Sequence, residues 1–435
     1  MSDSSFSIRA DRCRSKPLRA KPGSAAGATR LSYKTAWPAD GFPAGQITKP
    51  CHCSGNIPDK GREETMEDPF SLLIKPASAD CNLCCDYCFY LGKNEPYSQR
   101  PRMDDKTLER LMEAYLGTSQ PVYSMTWQGG EPALMGADFY ARAIALQKQF
   151  ARPGSRMMNA LQTNATCLSD EMAALMGKYR FLAGCSLDGP ADIHDVFRTS
   201  GSKKPTHSRV MAGINTLAEN GVPVNVLCMV TSANVDDPVR VYTYFKEKGF
   251  DFIQFIPCVE HDDSGNPLPW SITGEQWGTF LAAVFDQWYA GDTRRISVRN
   301  FESLLAKLVM GQAAECRMAG RCDQYLVVEY NGDIYACDFF VTKESRLGNI
   351  HETSFEAIRK SDGYRRFARE KSHHDPRCGG CDYFHLCMGD CQKFRGKAQE
   401  HQEMSLLCPG WHHFYKTTLE RFNALASAIS KNSNQ

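Results

Sequence analysis

From residue 70 onward the chain alternates short apolar runs with stretches whose apolar residues recur at helical spacing, and this alternation decides the fold class. Strands are predicted at residues 71–76, 123–128, 157–162, 182–187, 224–230 and 252–257. Helices are predicted between them at 104–116, 139–150, 170–178, 209–220 and 239–248. The first of these opens with Asp104-Asp105, as a helix N-terminus should. Near-continuous apolar strands in βα order imply an α/β fold with a parallel sheet, rolled or open. After residue 257 the pattern changes. Turn residues occupy 262–269, a helix is predicted at 274–289, and beyond about Val309 the chain is dense in cysteine. Asn331-Gly332, between apolar runs at 325–330 and 334–336, predicts a hairpin. We therefore expect a parallel α/β unit with a connecting helix over 66–309 and a second domain over 310–415. A closing helix is expected at 411–429, with 416–435 as C-terminal helix and tail.

A chain of 435 residues suits one large α/β domain plus a smaller one. Its formal charge of +1 gives no electrostatic case for nucleic acid or an anionic membrane as partner. No apolar run approaches the ~20 residues that span a bilayer. The first 65 residues are rich in Ser, Ala, Gly, Pro, Arg and Lys and carry no period. No apolar segment follows their arginines and lysines, which argues against a secretory signal. They read as a disordered extension, or as sequence preceding a true start at Met66. The C-x-C pair Cys51 and Cys53 within them carries little information. Cysteine is the outlier of the composition, at 19 residues. Clustered C-x2-C spacings without a secretory signal point to metal or cluster binding in a reducing compartment, here the cytoplasm.

Directly after the first predicted strand come Cys81, Cys85 and Cys88, in a C-x3-C-x2-C array. Three thiolates on one short loop can hold three irons of a cubane [4Fe–4S] cluster and leave the fourth iron open. The spacing, with the aromatic Tyr87 just before the last cysteine, resembles that of radical S-adenosylmethionine (radical SAM) enzymes. The resemblance implies a partial (β/α)6 TIM-like barrel, with functional residues at the C-terminal ends of its strands. It also implies that the open iron chelates the methionine amino and carboxylate groups, and that reductive cleavage yields a hydrogen-abstracting 5′-deoxyadenosyl radical.

Further residues match that family. Gly129-Gly130-Glu131-Pro132 ends the second strand and resembles the GGEP motif that receives the methionine amino group. Its glycines allow close approach of a ligand. Ser186 and Arg198 match positions near the ribose and the carboxylate, and a guanidinium binds a carboxylate through two parallel hydrogen bonds. Tyr87 is expected to pack near the adenine, and Val259 joins Gly130 and Glu131 among the cofactor contacts. His194 reads as an anchor of its loop rather than a proton carrier.

The second domain carries Cys316, Cys322, Cys337, Cys378, Cys381, Cys387, Cys391 and Cys408. C-x2-C pairs also serve tetrahedral zinc, but eight cysteines suffice for two fully ligated cubanes. The array resembles the SPASM auxiliary-cluster domain. That likeness implies one cluster on Cys316, Cys322, Cys337 and Cys391 and another on Cys378, Cys381, Cys387 and Cys408, three [4Fe–4S] clusters in all. Cys84, Cys167, Cys185, Cys228 and Cys258 are then spectators.

Cys337-Asp338, Cys88-Phe89-Tyr90, Gln128 and the stretch Gln254 to Glu260 together resemble the anaerobic sulfatase-maturating enzymes. The resemblance runs from about Phe70 to Tyr415. It implies oxidation of a cysteine or serine to Cα-formylglycine in a C/S-x-P/A-x-R segment of a sulfatase. Asp338 would be the general base, Tyr90 and Gln128 would line the substrate side, and a flavodoxin or ferredoxin would supply electrons. Two rival readings are a SPASM enzyme that cross-links or epimerises a ribosomal peptide, and a non-catalytic iron–sulfur electron carrier. The leading 65 residues lack the peptide-binding pattern of the first, and an electron carrier has no need of the GGEP turn, Ser186 and Arg198.

Overall fold

A computed structural model describes residues 69–92, 101–262, 264–395 and 404–433. The expectations for residues 1–65, with Cys51, Cys53 and a start at Met66, lie outside the described residues.

The chain runs β1 (Ser71–Lys75), α1 (Asp105–Leu116), β2 (Val122–Trp127), α2 (Gly136–Phe150), β3 (Arg156–Thr163), α3 (Asp170–Lys178) and β4 (Leu182–Ser186). Two helices follow, α4 (Ala191–Phe197) and α5 (His207–Glu219), then β5 (Val224–Val230), α6 (Pro238–Glu247) and β6 (Phe252–Pro257). The remainder is α7 (Gly274–Gly291), β7 (Ser297–Val298), α8 (Arg299–Met310), β8 (Tyr325–Glu329), β9 (Asp333–Tyr335) and β10 (Gly348–Asn349). It closes with α9 (Phe355–Lys360), α10 (Asp362–Glu370), α11 (Phe384–Cys387) and α12 (Cys408–Ser433).

Strands β1 to β6 lie side by side in chain order, every pair parallel, and β7 extends the far edge. This is the parallel α/β sheet that the alternating pattern predicts, in the strand order of the partial barrel that the resemblance implies. At the other edge β8 pairs parallel with β1, and β9 and β10 follow antiparallel, so ten strands form one sheet. The hairpin at Asn331-Gly332 is therefore present, and its first strand is a neighbour of the barrel's first. The β1–β8 register sets Lys75 opposite Glu329.

Local chemistry explains the elements. Asp104 caps α1 by accepting the Thr107 N–H at 2.7 Å, while Leu108, Leu111, Met112 and Tyr115 turn inward at helical spacing. Helix α7 opens with a capping box formed by Thr273 and Gln276. It packs along α12, where the Phe285 and Phe422 rings lie 4.4 Å apart and a Cβ on Gly278 would stand 2.4 Å from the Gly410 carbonyl oxygen. Helix α12 starts at Cys408, three residues before the predicted Trp411, because Pro409 fits a first helical turn. Among the described residues no helix is long and apolar enough to cross a membrane.

Candidate active site

The three-cysteine loop lies at the C-terminal end of β1. Cys81, Cys85 and Cys88 share a small apolar cluster with Leu83, Tyr87, Cys258 and Trp270. Backbone bonds from Cys84 N to Thr199 O (2.8 Å) and from Asp86 N to Phe197 O (3.0 Å) fasten the loop to the segment after α4. Asn164, just beyond β3, donates its side-chain amide to Asn82 Oδ1 at 2.9 Å and reaches Cys81 Sγ at 3.6 Å. Asn82 in turn donates to Thr166 Oγ1 at 2.8 Å. Burial pushes the Cys85 thiol up to about 12, against the pull of the Arg198 guanidinium. Cys81 is raised by burial, then by the neighbouring charges of Glu131 and Cys85. As thiolates, groups this close would need a cation among them. The donor set therefore fits an iron–sulfur cluster.

The Gly-Gly-Glu-Pro turn packs against the same loop. Gly130 N donates to Ser78 O at 2.7 Å and Glu131 N to Asp80 O at 2.7 Å. A Cβ on Gly130 would lie 2.1 Å from Asp80 O, and one on Gly129, whose φ is +127°, would lie 2.5 Å from Ser78 O. Both glycines thus let the chain's own backbone before Cys81 come close to the turn. The Glu131 side chain is fully buried and accepts from Ala133 N (2.9 Å), Thr163 Oγ1 (2.7 Å) and Asn164 N (2.7 Å). Burial lifts its carboxyl to about 7 despite those three donors. It bolts the ends of β2 and β3 together.

Asp188, which the sequence reading did not single out, is the hub on the other side. Its Oδ2 accepts the Tyr87 hydroxyl and, at 2.9 Å, Arg198 Nε, while its Oδ1 accepts Met229 N at 2.9 Å. The Arg198 guanidinium carbon stands 5.2 Å from the Tyr87 ring centroid. Tyr87 and Arg198 thus meet on one carboxylate. Ser186 Oγ, one strand end away, accepts Gln162 Nε2 at 3.3 Å, and Val259 is buried just after β6. His194 is an anchor: wholly buried, it accepts Asp188 N at 3.3 Å on Nδ1 and meets Thr206 Oγ1 at 3.2 Å through Nε2. Burial, then the Arg198 charge, drop its pKa to about 3, so it stays neutral.

Asp338 is buried directly after Cys337, on the short turn that leaves β9. Its Oδ2 accepts the Tyr90 hydroxyl, which also receives Gln128 Nε2 at 3.3 Å. Its Oδ1 faces Lys75 Nζ at 3.2 Å, and Lys75 pairs with Glu329 at 2.7 Å. The three residues predicted to face substrate are therefore contiguous, and Lys75 and Glu329 stand behind them. Beside them the Phe89 and Phe339 ring centroids are 5.2 Å apart. Lys393 lies 4.7 Å from the Phe339 ring and pairs with Glu260 beyond β6, so an aromatic lip borders the site.

The remaining eight cysteines fall into two sets. Cys316, Cys322, Cys337 and Cys391 line one cavity with Tyr325, Lys371 and Phe340. Cys378, Cys381, Cys387 and Cys408 line another beside Asp390 and Trp411. These are the groupings that the resemblance implied. Two cavities, each lined by four thiols, fit two cubane clusters. Lys371 braces the first set, donating to the Cys316 and Arg317 carbonyls at 2.7 Å each.

Comparison with known proteins agrees with this geometry. Residues 76–258 match the Radical SAM superfamily and residues 316–382 match an iron-sulfur cluster-binding domain, SPASM. A serine-type anaerobic sulfatase-maturating enzyme from Bacteroides thetaiotaomicron is 35% identical over 369 residues, covering 80% of this chain and 89% of the relative. A cysteine-type enzyme from Clostridium perfringens is 33% identical over 368 residues, covering 83% and 99%. The solved structure of native anSMEcpe with bound AdoMet and Cp18Cys peptide superposes with a TM-score of 0.78 at 33% identity, over 83% of this chain and 100% of that one. The Streptococcus suis SuiB structure, at 16% identity and a TM-score of 0.57, shares the fold. A cysteine loop, a SAM-type turn, two four-cysteine cavities and relatives that span nearly their whole length converge: this chain belongs to the anaerobic sulfatase-maturating enzymes of the radical SAM superfamily.

Proposed function

We propose that this enzyme oxidises a cysteine or serine side chain of a sulfatase polypeptide to Cα-formylglycine, with Asp338 as general base. The observation that carries the assignment is the convergence of Asp338 and Tyr90 in one hydrogen bond beside Gln128. Asp338 directly follows Cys337, and Tyr90 stands two residues after Cys88, so the base lies between the cysteine loop and an auxiliary-cluster cavity.

S-adenosylmethionine and a loop cluster, when bound, would supply a hydrogen-abstracting radical, and two auxiliary clusters an acceptor for the remaining electron. Cys81, Cys85 and Cys88 would hold the loop cluster, and Tyr87, Gly130, Glu131, Ser186, Arg198 and Val259 would contact the cofactor. The protein's own work is proton transfer and aim. The target residue loses one hydrogen atom from Cβ, one proton from its thiol or hydroxyl and one further electron, a two-electron oxidation. Asp338 receives the proton within hydrogen-bond reach of the side chain. Tyr90 and Gln128 hold that side chain toward Oδ2. A cysteine target leaves as a thioaldehyde, which water converts to the aldehyde with release of hydrogen sulfide. Electrons for turnover come from a flavodoxin or ferredoxin in the reducing cytoplasm.

The test is anaerobic incubation of the reconstituted protein with reductant, S-adenosylmethionine and peptides containing C-x-P-x-R or S-x-A-x-R, read by mass spectrometry. Formylglycine in either peptide supports the assignment. Cleavage of S-adenosylmethionine with both peptides untouched would sink it.

A further inference from the structure

Lys75 is the last residue of β1, in the otherwise apolar run Leu72-Leu73-Ile74, and it is 1% exposed. A lone ammonium at such a site is costly, so it needs charge partners. It has two. The strand register places Glu329, itself 0% exposed, directly opposite on β8, and the two side chains pair at 2.7 Å. That pair is already neutral. Asp338 comes in as a second carboxylate, 3.2 Å from the same nitrogen. A neutral buried pair needs no third charge for stability, and the second carboxylate leaves the group with an excess negative charge.

The geometry shows what the third contact does. Lys75 meets Oδ1 of Asp338, while Oδ2 accepts the Tyr90 hydroxyl. Lys75 Nζ also stands 4.9 Å from the Tyr90 ring centroid. One ammonium thus stands beside two of the three residues expected to face the substrate. Fixing Oδ1 fixes the plane of the carboxylate, and so fixes where Oδ2 points. Burial works against the Lys75 ammonium, but Asp338 and Glu329 more than offset it and raise its pKa, so it is a cation throughout. Glu329 holds the ammonium from behind, on a strand that belongs to the central sheet.

We infer that Lys75 and Glu329 form a positioning pair that aims the Asp338 carboxylate at the substrate's thiol or hydroxyl. The inference rests on Asp338 being the base. Neither Lys75 nor Glu329 touches substrate, and both act through Asp338. A mispositioned base should leave S-adenosylmethionine cleavage running while formylglycine falls, because radical formation precedes deprotonation of the substrate. The pair's signature is therefore uncoupling: fewer formylglycines per deoxyadenosine released.

The experiment compares Lys75→Met, Glu329→Gln, the double variant and Asp338→Asn. Lys75→Met leaves two buried carboxylates without a cation, and its melting temperature should fall. The double variant removes one charge of each sign, and iron content and melting temperature should return close to wild type. Its kcat for formylglycine should nevertheless stay at least tenfold low, with peptide KM within twofold and deoxyadenosine still produced. A crystal structure of the double variant should show the Asp338 carboxylate rotated away from Tyr90. If the double variant does not load iron, Lys75→Arg keeps the charge on a wider head, and it should lower kcat at least threefold with KM unchanged. A double variant, or Lys75→Arg, with wild-type kcat and coupling while Asp338→Asn is inactive would overturn the positioning role alone. Wild-type turnover by Asp338→Asn would instead remove the base, and the inference with it.

Discussion

Arg198 gives its Nε to Asp188 at 2.9 Å, and the same carboxylate oxygen takes the Tyr87 hydroxyl. Two residues expected to contact S-adenosylmethionine are thus oriented by a third that the cofactor need not touch. Asp188→Asn would leave a buried guanidinium unpaired. Breaking a buried pair this way typically costs about 3–5 kcal/mol. We expect a lower melting temperature and at least tenfold weaker S-adenosylmethionine binding by equilibrium dialysis. Wild-type affinity would show that Arg198 and Tyr87 hold their places without Asp188.

Gly130→Ala should act on the cysteine loop rather than on the cofactor. Its methyl group would stand 2.1 Å from the Asp80 carbonyl oxygen, a backbone atom one residue before Cys81. The loop must shift, and a backbone clash of this sort falls in the class that costs more than ~2 kcal/mol. Iron content should drop by about one cluster's share while the two C-terminal clusters persist. Full iron and full activity in this variant would mean that the turn can slide.

Iron stoichiometry tests the cysteine sets directly. Three four-iron clusters give about twelve irons per chain after anaerobic reconstitution. Replacing Cys81, Cys85 and Cys88 together by alanine should remove about a third of the iron and abolish S-adenosylmethionine cleavage. Zinc bound at the C-terminal cysteines, or iron stopping near four per chain, would refute the two auxiliary clusters.

Asp338→Asn should retain all three clusters and S-adenosylmethionine binding, since the side chain is not a ligand. Formylglycine should fall by about two or more orders of magnitude, the range associated with loss of a positioned base. Deoxyadenosine should still form. Mass spectrometry of the peptide and chromatography of the nucleoside give both numbers from one reaction.

His194 makes the fold acid-sensitive. Its folded pKa is held near 3, below the ordinary 6.5, so the unfolded chain binds the proton more readily. Its contribution is complete above about pH 6.5 and is lost as pH falls toward the folded value. Between pH 7.5 and 6 the loss amounts to about 1 kcal/mol. His194→Gln, which can keep both hydrogen bonds, should show that much less acid destabilisation by thermal melting over this interval. An unchanged pH slope would assign the effect to other groups.

Much of this architecture is legible in the sequence because its cause is local. The six strands each bury apolar residues against the helices and so read as apolar runs, and the helices read by their buried stripe. The cysteines read by spacing. What escaped reading depends on contacts remote in the chain. The β1–β8 pairing joins residues 71–75 to 325–329, and a parallel register between distant segments leaves no periodic trace in either. The same distance hid Lys75 and Glu329, although a lysine ending one apolar strand and a glutamate ending another were the available signal, since buried charges require partners. Asp188 was in view between Leu187 and Gly189, but nothing local distinguishes a hub carboxylate from a turn residue. The glycines of the GGEP turn were recognised as a place of close approach, but their packing against the Ser78 and Asp80 carbonyls was not, because sequence says that a backbone must come close without saying to what.

The parallel seating of β8 against β1 has a consequence for how the protein is made. While the ribosome is still translating the segment up to Glu329, β1 has only β2 beside it, and its other edge offers unpaired N–H and C=O groups. At about 5–20 residues per second that interval lasts on the order of tens of seconds. Throughout it Lys75 is without Glu329 and Asp338, and the cysteine loop hangs from an unfinished strand. Early release of a nascent fragment would therefore yield a sheet edge open to aggregation.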